Sequence, residues 1–207
     1  MVRFPAPPPA RLPSPIFHTL PAGMELFRLF DPTRHNTNAV SFRSFGPLLR
    51  FDHHLAVGSP PTQDAHRRIY YGGFTLSCCL VEVFGDTGFI DCGAWNIAMP
   101  RLTREVRLLD LRGIGAMRAG SAAAIGKVPE HGLSQEWSRY FYTAPEYHQP
   151  EGLLWPNAHN DEDALALYER AEDALDCPPE RVIRLDEPLL RPALEQIAEA
   201  NHLVLVP

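Results

Sequence analysis

The segment Arg67-Arg-Ile-Tyr-Tyr-Gly-Gly-Phe-Thr-Leu-Ser-Cys-Cys-Leu-Val-Glu-Val-Phe84 decides the fold. Its first part predicts a short strand over residues 69–71, because β-branched and aromatic side chains fit a pleated, half-buried surface. Gly72-Gly73 then interrupts the strand pattern, and Thr75 is a suitable N-cap for a following helix. The segment therefore predicts a strand, a glycine turn and a helix in succession.

The helical part of this segment has one apolar face. Apolar side chains recur at spacings of three and four residues, as in an amphipathic helix, at Leu76, Cys79, Leu80 and Val83. Gly85 is placed to end the helix. Glu82 lies among these apolar positions, where an unpaired carboxylate is costly to bury. Two interpretations follow: a solvated or paired glutamate at the edge of the helix, or an inward-facing carboxylate with a chemical role.

The composition is that of an ordinary globular protein. A chain of 207 residues suits one domain with a substantial core. The net charge of −6 argues against a general nucleic-acid or anionic-membrane binder, since both need a basic surface. The four cysteines have neither metal-ligand nor disulfide-framework spacing, which predicts reduced thiols in the cytoplasm. No stretch has the apolar run of a signal peptide or of a membrane-spanning helix.

The pattern along the chain predicts a proline-rich N-terminal arm over residues 1–23 and one domain over residues 24–207. Proline at this density disfavours helix and removes hydrogen-bond donors, so the arm is expected to be extended on the surface. Apolar periodicity predicts further strands over 24–30, 104–111, 152–155, 164–168, 181–185 and 202–206, and helices over 117–125, 133–142 and 189–200. The sum is a single α+β domain whose core is a mixed, mainly antiparallel sheet flanked by helices.

Several motifs of large enzyme classes are missing from the sequence. It contains no Walker-type phosphate loop, no dinucleotide Gly-x-Gly-x-x-Gly, no Gly-x-Ser-x-Gly and no His-Glu-x-x-His. His53 and His54 are adjacent, and adjacent histidines rarely converge on one ion, so no metal site is predicted.

The remaining candidates for chemistry lie in the first half of the chain: Arg28, Arg50, Tyr70, Tyr71 and Glu82. An arginine pair holds a pyrophosphate through charge-assisted hydrogen bonds, and a tyrosine ring stacks on a planar ring. A glutamate stabilises a developing oxocarbenium ion. Together these groups suit cleavage of an N-glycosidic bond in a dinucleotide, although each of them also has an ordinary structural explanation.

The order of seven short motifs resembles that of RES-domain proteins, the toxin half of bacterial Xre–RES toxin–antitoxin pairs. The resemblance runs from about Leu26 to about Glu169. The motifs are Phe27-Arg-Leu-Phe30, Leu49-Arg-Phe-Asp52, Tyr71-Gly-Gly with Leu80-Val-Glu-Val-Phe84, Leu109-Asp-Leu-Arg112, Gln135-Glu-Trp-Ser138, Gly152-Leu-Leu-Trp-Pro156 and Ala166-Leu-Tyr-Glu-Arg170.

This resemblance implies a fold similar to that of ADP-ribosyltransferases and an NAD-degrading enzyme that uses water or phosphate as the acceptor and no metal. It implies that Arg28 holds the phosphates or ribose of NAD, with help from Arg50, and that Tyr71, or otherwise Tyr70, stacks on nicotinamide. Glu82 would stabilise the oxocarbenium-like transition state. Two alternatives stay open: ADP-ribosyl transfer to a protein, and a catalytically weakened domain that only binds its antitoxin.

Asn157 is a departure from the family pattern. The family commonly has an active-site serine at this place, after the Gly-Leu-Leu-Trp-Pro strand. Asparagine still donates and accepts hydrogen bonds, so Asn157 is predicted to contribute to NAD binding, with slower or altered catalysis. The resemblance also implies an Xre-type antitoxin protein as partner, and the sequence is compatible with a homo-oligomer.

Overall fold

A computed structural model describes residues 4–56, 60–129 and 131–206. In these residues the strands are, in chain order, β1 (Phe17–Leu20), β2 (Arg28–Phe30), β3 (Phe45–Gly46), β4 (Thr62–Gln63), β5 (Ile69–Gly73), β6 (Phe89–Ile90), β7 (Asn96–Ala98), β8 (Arg101–Leu102), β9 (Val106–Asp110), β10 (Gly152–Pro156), β11 (Asp163–Tyr168), β12 (Leu175–Asp176), β13 (Val182–Arg184) and β14 (Val204–Leu205). The α-helices are α1 (Leu76–Phe84), α2 (Ile114–Arg118), α3 (His131–Thr143) and α4 (Arg191–Ala200), and short 3-10 helices span Ala123–Lys127, Pro145–Tyr147, Glu169–Ala174, Pro179–Arg181 and Pro188–Leu190. None of the helices described is long and apolar enough to cross a membrane.

The largest sheet has the strand order β1-β9-β10-β11-β5. Strands β9 and β10 are parallel, and the other three neighbouring pairs are antiparallel. A second sheet, with the order β13-β7-β2, is antiparallel throughout. The predicted fold class, one α+β domain with a mixed, mainly antiparallel sheet and flanking helices, is therefore confirmed.

The core lies on both faces of the largest sheet, because its central strands β10 and β11 are buried on both sides. Successive strand residues point to opposite faces, so Leu153 packs in one layer and Leu154 in the other. Helix α3 covers the first layer with Trp137 and Phe141, both fully buried. Each large apolar side chain buried in this way stabilises the fold by about 1.5–3 kcal/mol relative to an exposed one.

The unit of β5 and α1 forms as predicted, except that its glycines extend the strand instead of interrupting it. Gly73 exchanges two backbone hydrogen bonds with Phe27, at 2.8 and 2.9 Å. A Cβ atom on Gly73 would lie 2.9 Å from the Cys78 sulfur, so glycine permits this close approach. The Thr75 side chain caps α1 by accepting from the Cys78 N–H at 2.9 Å. As a result, α1 packs tightly against β2 and β5.

The proline-rich segment lies exposed or half-buried along the surface and is attached to the rest of the fold by strand pairing and packing. Strand β1 pairs with β9 at the edge of the largest sheet. Before it, the carbonyl of Pro5 accepts from the Trp137 indole at 2.7 Å, and Phe4 packs against the core. The proposed boundary after residue 23 thus does not separate an arm from the domain. Residues 1–3 of the predicted arm and residue 207 of the predicted domain lie outside the described residues.

The predicted helix over 117–125 is the main error among the helices. Helix α2 ends at Arg118, and Gly120 follows with a φ of 84°, a left-handed conformation that suits glycine. The chain then forms the 3-10 helix Ala123–Lys127. The predicted strand over 24–30 is longer than the observed one, because only its last three residues form β2.

The two adjacent histidines are buried structural residues. His53 donates or accepts one hydrogen bond with Glu169, at 3.0 Å, and burial lowers the pKa of His53. The ring centroids of His53 and His54 are 6.0 Å apart. In the part of the chain that the structure describes, no group of histidine, cysteine or acidic side chains is arranged to hold a metal ion.

Candidate active site

An open cleft lies between α1 and the edge of the largest sheet. Its lining combines the aromatic rings of Tyr71 and Trp155, the carboxylate of Glu82 and the apolar side chains of Leu29 and Val83. Tyr71 comes from β5, Trp155 from β10, and Glu82 from α1. The tight packing of α1 on β5 therefore brings a carboxylate and two ring systems to one place.

Glu82 points into the mouth of this cleft and is exposed, contrary to the interpretation of an inward, buried carboxylate. The inner face of α1 consists instead of Leu80, Val81 and Phe84. The cleft walls still exclude enough water to raise the pKa of Glu82 above its ordinary value, and burial is the largest cause. His159 and Arg50 act in the opposite direction by stabilising the carboxylate charge. Glu82 is thus a semi-desolvated acid that a ligand can reach.

Arg50 is the arginine that the structure brings to Glu82. It lies in the loop before His53, and its guanidinium donates to the backbone carbonyl of Val128. Burial lowers the pKa of Arg50, while the nearby charge of Glu82 is the largest influence that raises it. Arg50 and Glu82 therefore stabilise each other's charged form, although Arg50 is not among the residues that line the cleft.

Tyr71 is held rigidly beside this pair. Its hydroxyl donates to Asp52 Oδ1 at 2.9 Å and accepts from the Phe51 N–H at 3.1 Å. Its ring lies edge-on to Trp155, with centroids 6.3 Å apart. Burial raises the pKa of Tyr71 well above its ordinary value, so the phenol stays neutral near pH 7. Tyr71 therefore contributes a fixed aromatic ring to the cleft, and its hydroxyl does not ionise near neutral pH.

Arg28 and Tyr70 lie elsewhere, on the opposite faces of their strands. Leu29 and Tyr71 line the cleft, and neighbouring strand residues point the other way. The Arg28 guanidinium stacks 4.4 Å above the Tyr70 ring and donates to the Ser41 carbonyl at 2.6 Å. Tyr70 is fully buried. The structure therefore does not bring Arg28 or Tyr70 into the cleft with Glu82, contrary to the prediction from the sequence.

Asn157 supports the loop at the cleft and is not part of its surface. The side chain is fully buried. Its oxygen accepts from the backbone N–H groups of His159 and Asn160 at 2.8 and 2.9 Å, and its nitrogen donates to Asn160 Oδ1 at 2.7 Å. These bonds shape the turn that places His159 near Glu82. Asparagine thus has a structural task at the position where the family pattern has serine.

This role gives a prediction for stability. Asn157→Ala should lower the free energy of unfolding by about 1–3 kcal/mol, because it removes a buried side chain and leaves the partly buried N–H groups of His159 and Asn160 without their acceptor. Asn38→Ala is the matched control, since Asn38 also accepts from a backbone N–H, that of Val40 at 3.0 Å, but in an exposed turn. Urea unfolding of both variants measures the difference. Equal stabilities would show that the Asn157 side chain does not hold the turn.

Three residues of the site were not identified from the sequence: Trp155, Asp52 and His159. A Cβ atom on Gly85 would lie 2.5 Å from His159 Nδ1, so this glycine allows the histidine to pack against the end of α1. The contact joins residues far apart in the chain, and no spacing indicates it. Trp155 and Asp52 both occur in motifs of the family resemblance, which was the available signal.

Comparisons with known proteins agree with this fold. The family model described as the RES domain matches residues 25–189, close to the predicted extent of the resemblance. The structure is similar to a chain in the crystal structure of the M. tuberculosis MbcT-MbcA toxin-antitoxin complex, with a TM-score of 0.55 and 16% sequence identity over 88% of this chain and 92% of that chain. At that identity the likeness concerns the fold. A comparison with curated protein sequences found no match.

Proposed function

The chain belongs to the RES domain family, and on that premise we propose that it cleaves the nicotinamide–ribose N-glycosidic bond of NAD. The observation that supports this proposal is the cleft in which Glu82 and Tyr71 meet, with Arg50 near enough for its charge to interact with the Glu82 carboxylate. The three residues come from a helix, a loop and a strand, and each has the chemistry that the reaction needs. The family resemblance supplies NAD as the substrate.

In this proposal, the breaking C1′–N bond leaves its electron pair on the nicotinamide nitrogen, which neutralises the pyridinium. Positive charge then develops on the ribose, and the Glu82 carboxylate stabilises it. The proton of an attacking water is released to solvent as the new C1′–O bond forms, and a phosphate acceptor forms the equivalent bond. Catalysis thus needs Glu82 in its ionised form.

The surroundings of Glu82 strengthen this effect. Two unit charges 4 Å apart interact by about 1 kcal/mol in water but by about 4 kcal/mol where the effective dielectric constant is near 20. The cleft walls partly desolvate Glu82 and so raise its pKa, while the side chain stays exposed to a ligand. The Tyr71 ring, backed by the buried Trp155, supplies a flat apolar surface for the nicotinamide ring, and Arg50 supplies a donor for the anionic diphosphate.

We further propose an antitoxin partner of the Xre type and a cytoplasmic location. An enzyme that depletes NAD must be silenced in the cell that makes it, and NAD is a cytoplasmic metabolite. The fold is shared with a chain of a toxin-antitoxin complex, which supports such a partner. Expression of the chain alone is expected to arrest growth, and Glu82→Gln should relieve that arrest.

The direct test is incubation of the purified protein with NAD, with and without phosphate and with and without added cell protein. Chromatography follows nicotinamide and the ADP-ribosyl product. We expect nicotinamide release, with free ADP-ribose, its phosphorylated form or labelled protein identifying the acceptor as water, phosphate or protein. Absence of nicotinamide in every arm would overturn the proposal and favour a domain that only binds an antitoxin.

The pH dependence follows from Glu82. Because the reaction needs the carboxylate and the pKa of Glu82 is raised above 4.5, kcat/KM should increase with pH and reach its plateau only above a midpoint higher than 4.5. Below that midpoint it should fall about tenfold per pH unit, as for one essential ionisation of the free enzyme. Initial rates between about pH 4 and pH 8 measure this profile. A rate that stays constant or declines as the pH rises would contradict the role of Glu82.

A further inference from the structure

A buried carboxylate lies behind the cleft, between the Arg50 loop and β5. Asp52 is fully buried and accepts five hydrogen bonds. Its Oδ1 accepts from the Tyr71 hydroxyl at 2.9 Å and from Arg43 Nη2 at 2.7 Å. Its Oδ2 accepts from Arg43 Nη2 at 2.8 Å and from the backbone N–H groups of Leu48 and Leu49 at 2.5 and 3.0 Å.

This arrangement satisfies the requirement that a buried charge be paired and hydrogen-bonded. Arg43 provides the opposite charge, with a quarter of its side chain exposed. Arg43 is itself fixed to β5, because it exchanges backbone hydrogen bonds with Ile69 at 2.8 and 3.1 Å. Asp52 is therefore anchored to the same rigid strand that carries Tyr71.

The loop that carries Arg50 is held from two sides. Helix α3 binds two of its carbonyls, since Gln135 donates to the Leu49 oxygen at 3.0 Å and Ser138 donates to the Phe51 oxygen at 2.6 Å. On the other side, its N–H groups are bound by Asp52 and by the Tyr71 hydroxyl. The bonds from Leu48 and Leu49 to Asp52 close the loop on itself, and the Tyr71 hydroxyl and the Asp52–Arg43 ion pair join the loop to β5 and to the segment paired with it.

We propose that Asp52 is a positioning residue for the reaction, one that fixes Arg50 and the Tyr71 ring relative to Glu82. The inference rests on the proposed function for its kinetic consequence, but the fixation of the loop is independent of that function. Asp52 acts through other groups and does not touch the substrate. Misplacement of substrate-contacting groups by about 1 Å lowers rates by about 10²-fold, so the effect should be large.

The central experiment compares Asp52→Asn with Asp64→Asn. Asp64 is the matched control: it is also buried and accepts from three backbone N–H groups at 2.9, 2.9 and 3.0 Å, in a neighbouring turn. It has no hydrogen bond to Tyr71 or Arg50 among the described contacts. We expect D52N to lower kcat/KM for NAD by about 10–100-fold, with an increase in KM as part of the effect because Arg50 binds NAD in the ground state, and D64N to change kcat/KM by less than about twofold.

Tyr71→Phe keeps the ring and removes the hydroxyl that Asp52 accepts from, so it tests the same link in a protein that retains the buried carboxylate. If Asp52 acts partly through this hydroxyl, the double variant should be less impaired than the product of the two single effects. The positioning role would be overturned if D52N were as active as D64N and the effects of D52N and Tyr71→Phe were simply additive in the double variant. If D52N folds poorly, Tyr71→Phe still tests the link, because it removes the bond between Tyr71 and Asp52 while leaving the buried carboxylate in place.

Hydrogen exchange of the Leu48 and Leu49 amides gives a readout without NAD. Both N–H groups donate to Asp52, so D52N should lose their protection while D64N retains it. Unchanged protection in D52N would overturn the proposal. If wild-type protein releases no nicotinamide, the proposed function fails, and the exchange data still decide whether Asp52 fixes the loop.

Discussion

Glu82→Gln is expected to reduce nicotinamide release from NAD by about 10²–10³-fold or more, because removing one group that stabilises transition-state charge has effects of this size. Glutamine keeps the size of the side chain and one acceptor oxygen, replaces the other oxygen with a donating NH2 group, and removes the charge. KM for NAD should change little, since the carboxylate acts on charge that appears in the transition state. Initial rates at saturating NAD measure the effect.

This loss should occur without a loss of stability. Because the pKa of Glu82 is raised above 4.5 in the folded protein, the folded state binds a proton that the unfolded chain has already released. The side chain therefore favours folding below about pH 4.5 and opposes it as the pH rises through the raised pKa. At neutral pH, the neutral glutamine should leave the protein at least as stable as wild type.

Glu199→Gln is the matched control for Glu82→Gln, since Glu199 is also an exposed glutamate near the end of a helix, in α4. Its activity should equal that of the wild type. Nicotinamide release by Glu82→Gln at more than about a tenth of the wild-type rate, far above the expected residual activity, would exclude Glu82 as the charge that the reaction needs.

The sequence was informative where the determinants are local. The strand and helix of the 67–84 segment follow from side-chain periodicity, and Thr75 caps α1 through a bond within one turn. Strand β1 was not predicted because the surrounding prolines dominated the interpretation, although the four residues Phe17–Leu20 contain no proline. A local pattern without its pairing partner, here β9, does not reveal an edge strand.

The two arginines show where sequence reasoning about the site stops. Alternation along residues 26–30 places Arg28 on the face opposite Phe27 and Leu29, and this pattern by itself does not distinguish a face toward water from a face toward a cleft. The structure shows that the cleft lies on the Leu29 side. Arg50 lies near Glu82 because the loop that carries Arg50 is fixed by Asp52, α3 and Tyr71. Such a loop conformation has no periodicity from which to predict it.

Asn157 and His159 illustrate the same limit. The family pattern marks the position of Asn157, but the chemical use of its side chain depends on the turn that follows. Its oxygen binds two backbone N–H groups of that turn, so the residue is occupied by structure. His159, which the turn places near Glu82, lies 77 positions further along the chain by their numbers in the sequence. Only tertiary packing brings them together.

Arg50→Ala is expected to lower kcat/KM for NAD by about 10–100-fold, the equivalent of one charge-assisted hydrogen bond of about 1.5–3 kcal/mol. Most of the effect should be an increase in KM, because contact with the diphosphate is made in the ground state as well as in the transition state. Arg50 also lowers the pKa of Glu82, so the acid midpoint of the rate profile should move to higher pH in this variant.

Arg107→Ala is the matched control, because Arg107 also donates to a backbone carbonyl, that of His148, but lines a different depression of the surface. Its kinetics should be those of the wild type.

Arg28→Lys completes the comparison: it keeps the charge beside Tyr70 while removing the planar guanidinium. If Arg50→Ala is fully active and a folded Arg28→Lys is not, the arginine that holds the phosphates or ribose of NAD is Arg28, as the family resemblance implied. The opposite result assigns that role to Arg50, because a cation whose charge acts on Glu82 changes both the affinity for NAD and the pH dependence of the rate.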